Sequence, residues 1–155
     1  MNTSILETIY DQLEAMTVTY LDKSNVSKTA TVYSQETMLD SLQTAHLPAR
    51  VLLPPSGSLT INPGGNNLAQ WKVSDIFFQE TAAQGGGVDD EIPSLTRYII
   101  AYGAAIGKLW QIAYQTSTET RTLLAQITSG KFEYPSQSGV WFYGVRCDLT
   151  IEELF

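Results

Sequence analysis

The sequence is poor in the residues on which most catalytic and metal-binding chemistry depends. Its 155 residues include one cysteine and one histidine. A single cysteine excludes an intramolecular disulfide, and the apolar surroundings of Cys147 predict a packed thiol that suits a reducing compartment. Zinc binding, or a nucleophile paired with a base, would have to rely on His46 and carboxylates. Because His46 directly precedes Leu47-Pro48, we interpret it as a helix-end residue, and we predict no enzyme, no metal and no cofactor.

Positive charge is also scarce. Nine lysines and arginines stand against sixteen aspartates and glutamates, which gives a formal net charge of -7. A protein that grips a phosphate backbone needs clustered cations, because its affinity comes from counterion release. The composition therefore predicts that nucleic acid can pass nearby but is not held.

Long uninterrupted hydrophobic runs are missing as well. The longest apolar stretch, YIIAYGAAIGKLWQIAY, contains Lys108 and follows Arg97. This pattern favours a buried amphipathic helix over a membrane span. The N-terminal stretch MNTSILETIYDQLEAM has no basic region, so we expect no secretory signal and no membrane partner.

What the chain does have is enough apolar mass for one core. The hydrophobic fraction is 43%, and 155 residues suit a single domain, which we place at residues 1–155. Strands and helices follow without regular alternation, and this predicts an α+β fold with a mixed or antiparallel sheet. Ser4 and Glu7 form a capping box before the apolar positions Ile5, Ile9, Leu13 and Met16, which predicts an N-terminal helix.

Three strands and one short helix are predicted between the N-terminal helix and residue 80. RVLL, before Pro54-Pro55, predicts a buried strand, because two prolines cannot continue a ladder. WKVSDIFFQE predicts a strand covered on both faces, with Trp71, Val73 and Phe77 on one face and Ile76 and Phe78 on the other. Upstream, the pattern suggests a short strand at Thr29–Tyr33 and a helix around Met38, Leu39 and Leu42 that Pro48 closes.

Two segments between these elements are rich in glycine, asparagine, proline and serine. Ser56–Gln70 predicts a long projecting loop, and Thr81–Glu91 predicts a second one. We expect both to be flexible in the free subunit, because their composition offers little apolar area to offset the entropy of ordering.

One long central helix follows. IPSLTRYIIAYGAAIGKLWQIAY has an acidic start and an early Pro93, as helix N-termini prefer. Gly103 and Gly107 lack the spacing of a phosphate loop, and Leu109 follows Lys108 where serine or threonine is required. We therefore predict that these glycines let the helix pack closely against a neighbour.

The chain ends on a strand pattern. Trp141, Tyr143, Val145, Cys147, Leu149 and Ile151 alternate with more polar residues, which predicts one buried face. TRTLLAQITSGKFEYP before it predicts a partner strand in a C-terminal hairpin, with a helix around Thr120–Ile127 as the alternative.

The order of these elements resembles one known family. An N-terminal helix, a strand ending in ARVLLP, the WKVSDIFFQE strand, a helix and the final GVWFYGVRCDLTIEEL strand resemble the tail terminator proteins of long-tailed bacteriophages, and more loosely their neck and tail-completion relatives. The resemblance implies a small α+β subunit that forms a ring, expected to be a hexamer. Such a ring stops polymerisation of the tail tube and then presents a surface to the head.

The resemblance also implies partners and a location. They are the tail tube protein and a head connector or neck protein, in a virion assembled in the host cytoplasm, with DNA passing through the lumen. Polar residues in loops, or interrupting strands, are the expected oligomer or partner interface: Arg50, Asn62, Asn66, Asn67, Asp75, Asp89, Asp90, Glu91 and Arg146.

Alternatives remain open at this point. Asp75 lies in an otherwise apolar strand and needs a donor, so a buried pairing with Arg50 or Arg146 competes with an interface role. Asp89, Asp90 and Glu91 lack the spacing of a calcium loop and suit a solvated helix start. A ligand-binding module with Trp71, Trp110 and Tyr143 as cavity walls is a rival function, and a small hydrolase or transferase is another.

Overall fold

The computed structural model describes residues 5–65, 67–82, 89–116 and 120–154, and for Ile5, Asp89 and residues 109–116 and 120–124 it describes the backbone alone. Short 3-10 turns occur at Thr44–His46 and Asp89–Glu91. The helices and strands are α1 (Ile5–Ala15), β1 (Thr19–Leu21), β2 (Ser27–Thr29), β3 (Thr31–Tyr33), β4 (Ala49–Leu52), β5 (Ser56–Thr60), β6 (Leu68–Thr81), α2 (Ile92–Thr116), β7 (Thr120–Glu133) and β8 (Trp141–Leu154). The predicted α+β fold in one domain is confirmed.

One mixed sheet organises the subunit. Its strand order is β3-β4-β6-β8-β7, and β5 pairs with the first part of β6, beyond the end of β4. The β3–β4 pair is parallel, and the other pairs of this sheet are antiparallel. Strands β1 and β2 form a separate antiparallel ribbon.

The C-terminal strand β8 lies inside the sheet, between β6 and β7. The predicted hairpin with β7 is therefore confirmed, and the segment is a strand along its whole length. Its alternating side chains from Tyr143 to Ile151 are buried as predicted. Trp141 is the exception, because it opens the strand opposite Glu133 at the edge of the core and is 46% exposed.

The two helices cover one face of the sheet, which we call the inner face. Ile9 and Leu13 of α1 join the core there, and α2 adds Leu95, Tyr98 and Tyr102. The ring of Tyr98 stacks on Phe77 of β6 with 3.6 Å between centroids, so α2 is held by aromatic packing as well as by aliphatic burial. The predicted inward positions Val73 and Phe77 belong to this cluster, with Trp71 packed at its edge.

The opposite, outer face is covered only at one end. Ile76 and Phe78 of β6, also predicted correctly, form a smaller cluster there with Phe142 and Tyr134. The segment around Met38, Leu39 and Leu42 covers it. This segment was predicted to be a helix, and that prediction is wrong, because residues 38–42 have no helical structure. The turn between β7 and β8 supplies hydrogen bonds instead: Gln137 accepts the N–H of Leu42 at 2.9 Å, and the Tyr134 hydroxyl donates to the Leu39 carbonyl.

The predicted loop Ser56–Gln70 is in large part a β-hairpin. Strand β5 and the start of β6 pair from Ser56↔Lys72 to Thr60↔Leu68, although the side chains of β5 are exposed. Gly57 is required at this point, because a Cβ there would lie 2.0 Å from Cε3 of Trp71. The prediction failed because glycine- and serine-rich strands lack the hydrophobic alternation that marks a strand. Much of the second predicted loop, residues 83–88, lies outside the described residues.

Helix α2 begins where the sequence predicted, with Pro93 in its first turn. The packing role predicted for its glycines is wrong, since a Cβ at Gly103 or Gly107 would meet no atom of the described residues within 4 Å. Helix α1 is also as predicted, although its proposed capping residue Ser4 lies outside the described residues.

Candidate functional site

The most elaborate polar arrangement in the described chain is a buried cluster on the inner face. Arg50 of β4 and Asp75 of β6 lie diagonally across two paired strands, since Arg50 stands opposite Phe77, and Arg50 Nη2 lies 2.7 Å from Asp75 Oδ2. Neither side chain is exposed to solvent. We call this the inner ion pair. It confirms that Asp75 finds a buried partner, and it identifies that partner as Arg50.

The inner ion pair is hydrogen-bonded to both helices. Tyr102 of α2 donates to Asp75 Oδ2 at 2.8 Å. Arg50 donates through Nη1 to the carbonyl of Met16 at 2.6 Å and through Nη2 to that of Leu13 at 3.0 Å. These carbonyls belong to the C-terminal end of α1, which has no basic residue of its own in its last turn. The pair therefore ties α1, α2, β4 and β6 together.

Burial and charge set the ionisation of this cluster. Burial alone would lower the pKa of Arg50, but the charge and hydrogen bonds of Asp75 outweigh it and raise that pKa. Burial, followed by the charge of Asp75, raises the pKa values of Tyr98 and Tyr102 well above normal. Burial also raises the pKa of Cys147 to about 12, so this thiol stays protonated and unreactive at neutral pH.

The arrangement is suited to holding the fold rather than to chemistry on a substrate. Arg50 and Asp75 are 0% and 2% exposed, so the isolated subunit presents neither of them on its surface. Their placement among the interface residues is therefore corrected: both belong to the interior. Tyr102 was not predicted from the sequence, because a tyrosine in an apolar helix gives the same pattern whether or not its hydroxyl is hydrogen-bonded.

A second arginine–aspartate pair lies on the outer face. Arg146 Nε is 3.0 Å from Asp148 Oδ1, and Ser74 donates to the same oxygen at 2.7 Å. The two charged side chains are 42% and 46% exposed. We call this the outer ion pair. It borders a polar cleft of about 510 Å³ whose wall includes Pro54.

The acidic residues before α2 lie apart from both pairs. Glu91 is buried, and its Oε1 lies 2.5 Å from Lys23 Nζ. Glu80, at the end of β6, lies 3.7 Å from the same lysine. A hydrogen bond with Glu91 raises the pKa of Glu80, with burial and the neighbouring charge adding to the effect. Asp90 is exposed, and Asp89 opens the 3-10 turn.

Two asparagines of the expected interface, Asn62 and Asn67, are at the tip of the β5–β6 hairpin. The backbone N–H of Asn62 donates to Asn67 Oδ1 at 3.1 Å, and Asn66 lies outside the described residues. The eight described residues of the nine thus fall into four places: the inner pair, the outer pair, the start of α2 and the hairpin tip. The structure does not bring them together into one site.

A groove also runs between α1 and α2. Its volume is about 550 Å³, and its lining is Gln12, Ala15, Met16, Thr17, Thr19, Ala101, Ala104, Ala105 and Lys108. The ligand cavity considered from the sequence was expected elsewhere, between the long helix and the sheet. Of its proposed walls, Tyr143 is buried and Trp71 is partly buried, with its indole N–H donating to Glu153 at 3.0 Å. The side chain of Trp110 is outside the described residues.

The chain has no match among known families. No family model matches the sequence, and no curated protein shows significant similarity to it. The resemblance to tail terminators therefore depends on the order of elements alone.

The described part of the chain lacks two features that mark other classes of protein. None of its helices has the length and apolar character needed to cross a membrane. Its histidine, cysteine, aspartate and glutamate side chains do not gather in threes that could hold a metal ion.

Proposed function

We propose that this protein is a structural component of a long-tailed bacteriophage, a tail terminator that assembles at the end of the tail tube into a ring of the hexameric kind that the resemblance implies. The ring blocks further addition of tube subunits and offers the head connector a surface to join. A tube end is an open heterologous interface, and growth continues there unless a closed assembly with a different upper face covers it.

The observation that carries this proposal is the order of elements. Each of the five segments on which the resemblance depends is a helix or strand of the type expected: α1, β4, β6, α2 and β8. The acidic composition is consistent with a lumen through which DNA slides without binding, because phosphate contacts require clustered cations.

Electron microscopy of particles assembled without this protein tests the proposal. Tails of abnormal length are the expected result, because nothing stops the tube. Tails of normal length that fail to join heads would move the protein to the alternative role of a neck or connector protein. Normal tails on filled heads would contradict both roles. Complementation by the intact protein is the control for each outcome.

A ligand-binding module is the second candidate, and the groove between α1 and α2 favours it. Its volume of about 550 Å³ lies in the range of small-molecule sites, and Ala101, Ala105 and Met16 give it a mainly apolar lining. A thermal-shift screen against metabolites is the test. A ligand whose stabilisation disappears when Ala105→Trp fills the groove would support this function, and the absence of any such ligand would leave the ring proposal ahead.

A further inference from the structure

The main sheet ends in edges that differ in how well they are protected. Strand β3 has only three residues, and β5 has five and follows Pro54 and Pro55. Strand β7 is different, because it runs for 14 residues along the outside of β8. Its stretch from Thr122 to Gly130 contains no charge and no proline. Natural proteins usually protect an edge of this length with charges, proline or a covering element.

The two edges of β5 and β7 lie at the same level of the sheet. Ser56–Thr60 pairs with residues 68–72 of β6, these pair with residues 150–154 of β8, and β8 pairs there with the first residues of β7. The subunit is therefore a four-stranded sheet at this end, in the order β5-β6-β8-β7. No strand of the described chain pairs with the outer edge of β5 or with that of β7.

The strand directions allow one copy to continue the sheet of the next. All three pairs in this four-stranded part are antiparallel, so β5 and β7 run in opposite directions. A neighbouring copy in the same orientation would place its β5 antiparallel to β7. The hydrogen-bonding pattern of the sheet would then pass unbroken from subunit to subunit.

We infer that the ring closes by backbone pairing between β7 of one copy and β5 of the next. This inference rests on the proposed ring function and assigns its subunit contact. The contact is heterologous, so it can repeat around a closed ring and use every edge of the four-stranded part. Two β7 strands could also pair around a twofold axis, but that contact ends at a dimer and leaves β5 open.

Disulfide trapping in the intact protein tests the contact. Ser58 and Thr122 stand at the same level, through the register Ser58↔Gln70↔Glu152↔Thr122. We would make Ser58→Cys with Thr122→Cys, and Ser58→Cys with Leu124→Cys to allow for a two-residue shift. The single variants are the matched controls. The buried Cys147 can stay in place, since it is not accessible to a second chain.

The expected result is a ladder of covalently linked species, up to the full ring, in a double variant and in neither single variant. A linked dimer from Thr122→Cys or Leu124→Cys alone would overturn the inference in favour of twofold pairing. Rings found by light scattering without crosslinks in any variant would overturn the contact and leave the proposed function standing. A monomer at every concentration would overturn both the contact and the ring.

Discussion

The sheet carries two arginine–aspartate pairs that differ chiefly in where they lie. The inner ion pair, Arg50–Asp75, is sealed under both helices, whereas the outer ion pair, Arg146–Asp148, is more than a third exposed on the open face. Exposed pairs contribute little, because water and salt screen them. A buried pair becomes indispensable once formed, because removing one partner leaves a charge without solvation. The same two types of side chain therefore stabilise the fold on the inner face, whereas on the outer face they remain accessible for contacts.

The largest effect is expected from breaking the inner pair. Arg50→Met should lower the free energy of unfolding by about 3–5 kcal/mol, because Asp75 is left as an uncompensated buried charge and the end of α1 loses its donors. Urea denaturation followed by circular dichroism is the measurement. The double variant Arg50→Met/Asp75→Leu is the control, and it should recover much of the loss, since an apolar replacement of a whole pair is often neutral. A single variant as stable as the wild type would contradict this account of the pair.

A smaller effect is expected from Tyr102→Phe. The change removes one hydrogen bond to the Asp75 carboxylate and keeps the ring, so it should cost about 1.5–3 kcal/mol, as for bonds to charged groups. Tyr98→Phe is the matched control, because the buried Tyr98 hydroxyl has no hydrogen-bond partner among the described residues. Equal losses in the two variants would show that the bond to Asp75 has no special weight.

The contact between Glu80, at the end of β6, and Glu91, before α2, gives a prediction about how stability depends on pH. The pKa of Glu80 is raised in the folded state, so the folded protein holds that proton more tightly than the unfolded chain. The resulting stabilisation is complete below the normal pKa near 4.5 and is lost as pH rises through the raised value. Glu80→Gln should remove this decline, because a neutral amide can face Glu91 at every pH.

The readout is the free energy of unfolding between pH 4 and 8, with the exposed Glu36→Gln as control. Lys23 and Glu91 also act on Glu80, and Asp90 acts on Lys23, so all three must remain unchanged in both variants. An unaltered pH profile in Glu80→Gln would show that the Glu80–Glu91 contact is not what titrates.

The smallest effect is expected from Arg146→Met, the counterpart of Arg50→Met on the outer face. It should change the free energy of unfolding by no more than about 1 kcal/mol, because the pair it breaks is exposed. The measurement is chemical denaturation of Arg146→Met and Arg50→Met under the same conditions, which compares their losses in the free energy of unfolding directly. A loss as large as that of Arg50→Met would remove the distinction between the two faces.

The sequence predicted the parts of this fold that have strong hydrophobic periodicity. Strands β4, β6 and β8 and helix α2 follow from alternation, from Pro54-Pro55 and from the acidic helix start. Strand β5 was missed because its residues face solvent and its pairing is carried by the backbone. The segment around Leu42 was wrongly predicted as a helix, because hydrogen bonds from Tyr134 and Gln137, almost a hundred positions away, compete with local helix formation.

The candidate site was predictable only in part. An aspartate in an apolar strand requires a hydrogen-bond donor, and Arg50 was one of the two arginines considered as that donor. Nothing in the sequence distinguishes Tyr102 as the third member, or separates Arg50 from Arg146, because strand order and cross-strand register decide which side chains meet.

The proposed function requires that this protein forms a closed ring. Multi-angle light scattering of the purified intact chain over a range of concentrations, with electron microscopy of the same sample, tests it most directly. We expect one assembly of fixed mass with a central opening in end views. For the expected hexamer, this mass is six times that of the subunit. A mass equal to that of a single chain at every concentration, with no ring in the images, would contradict it.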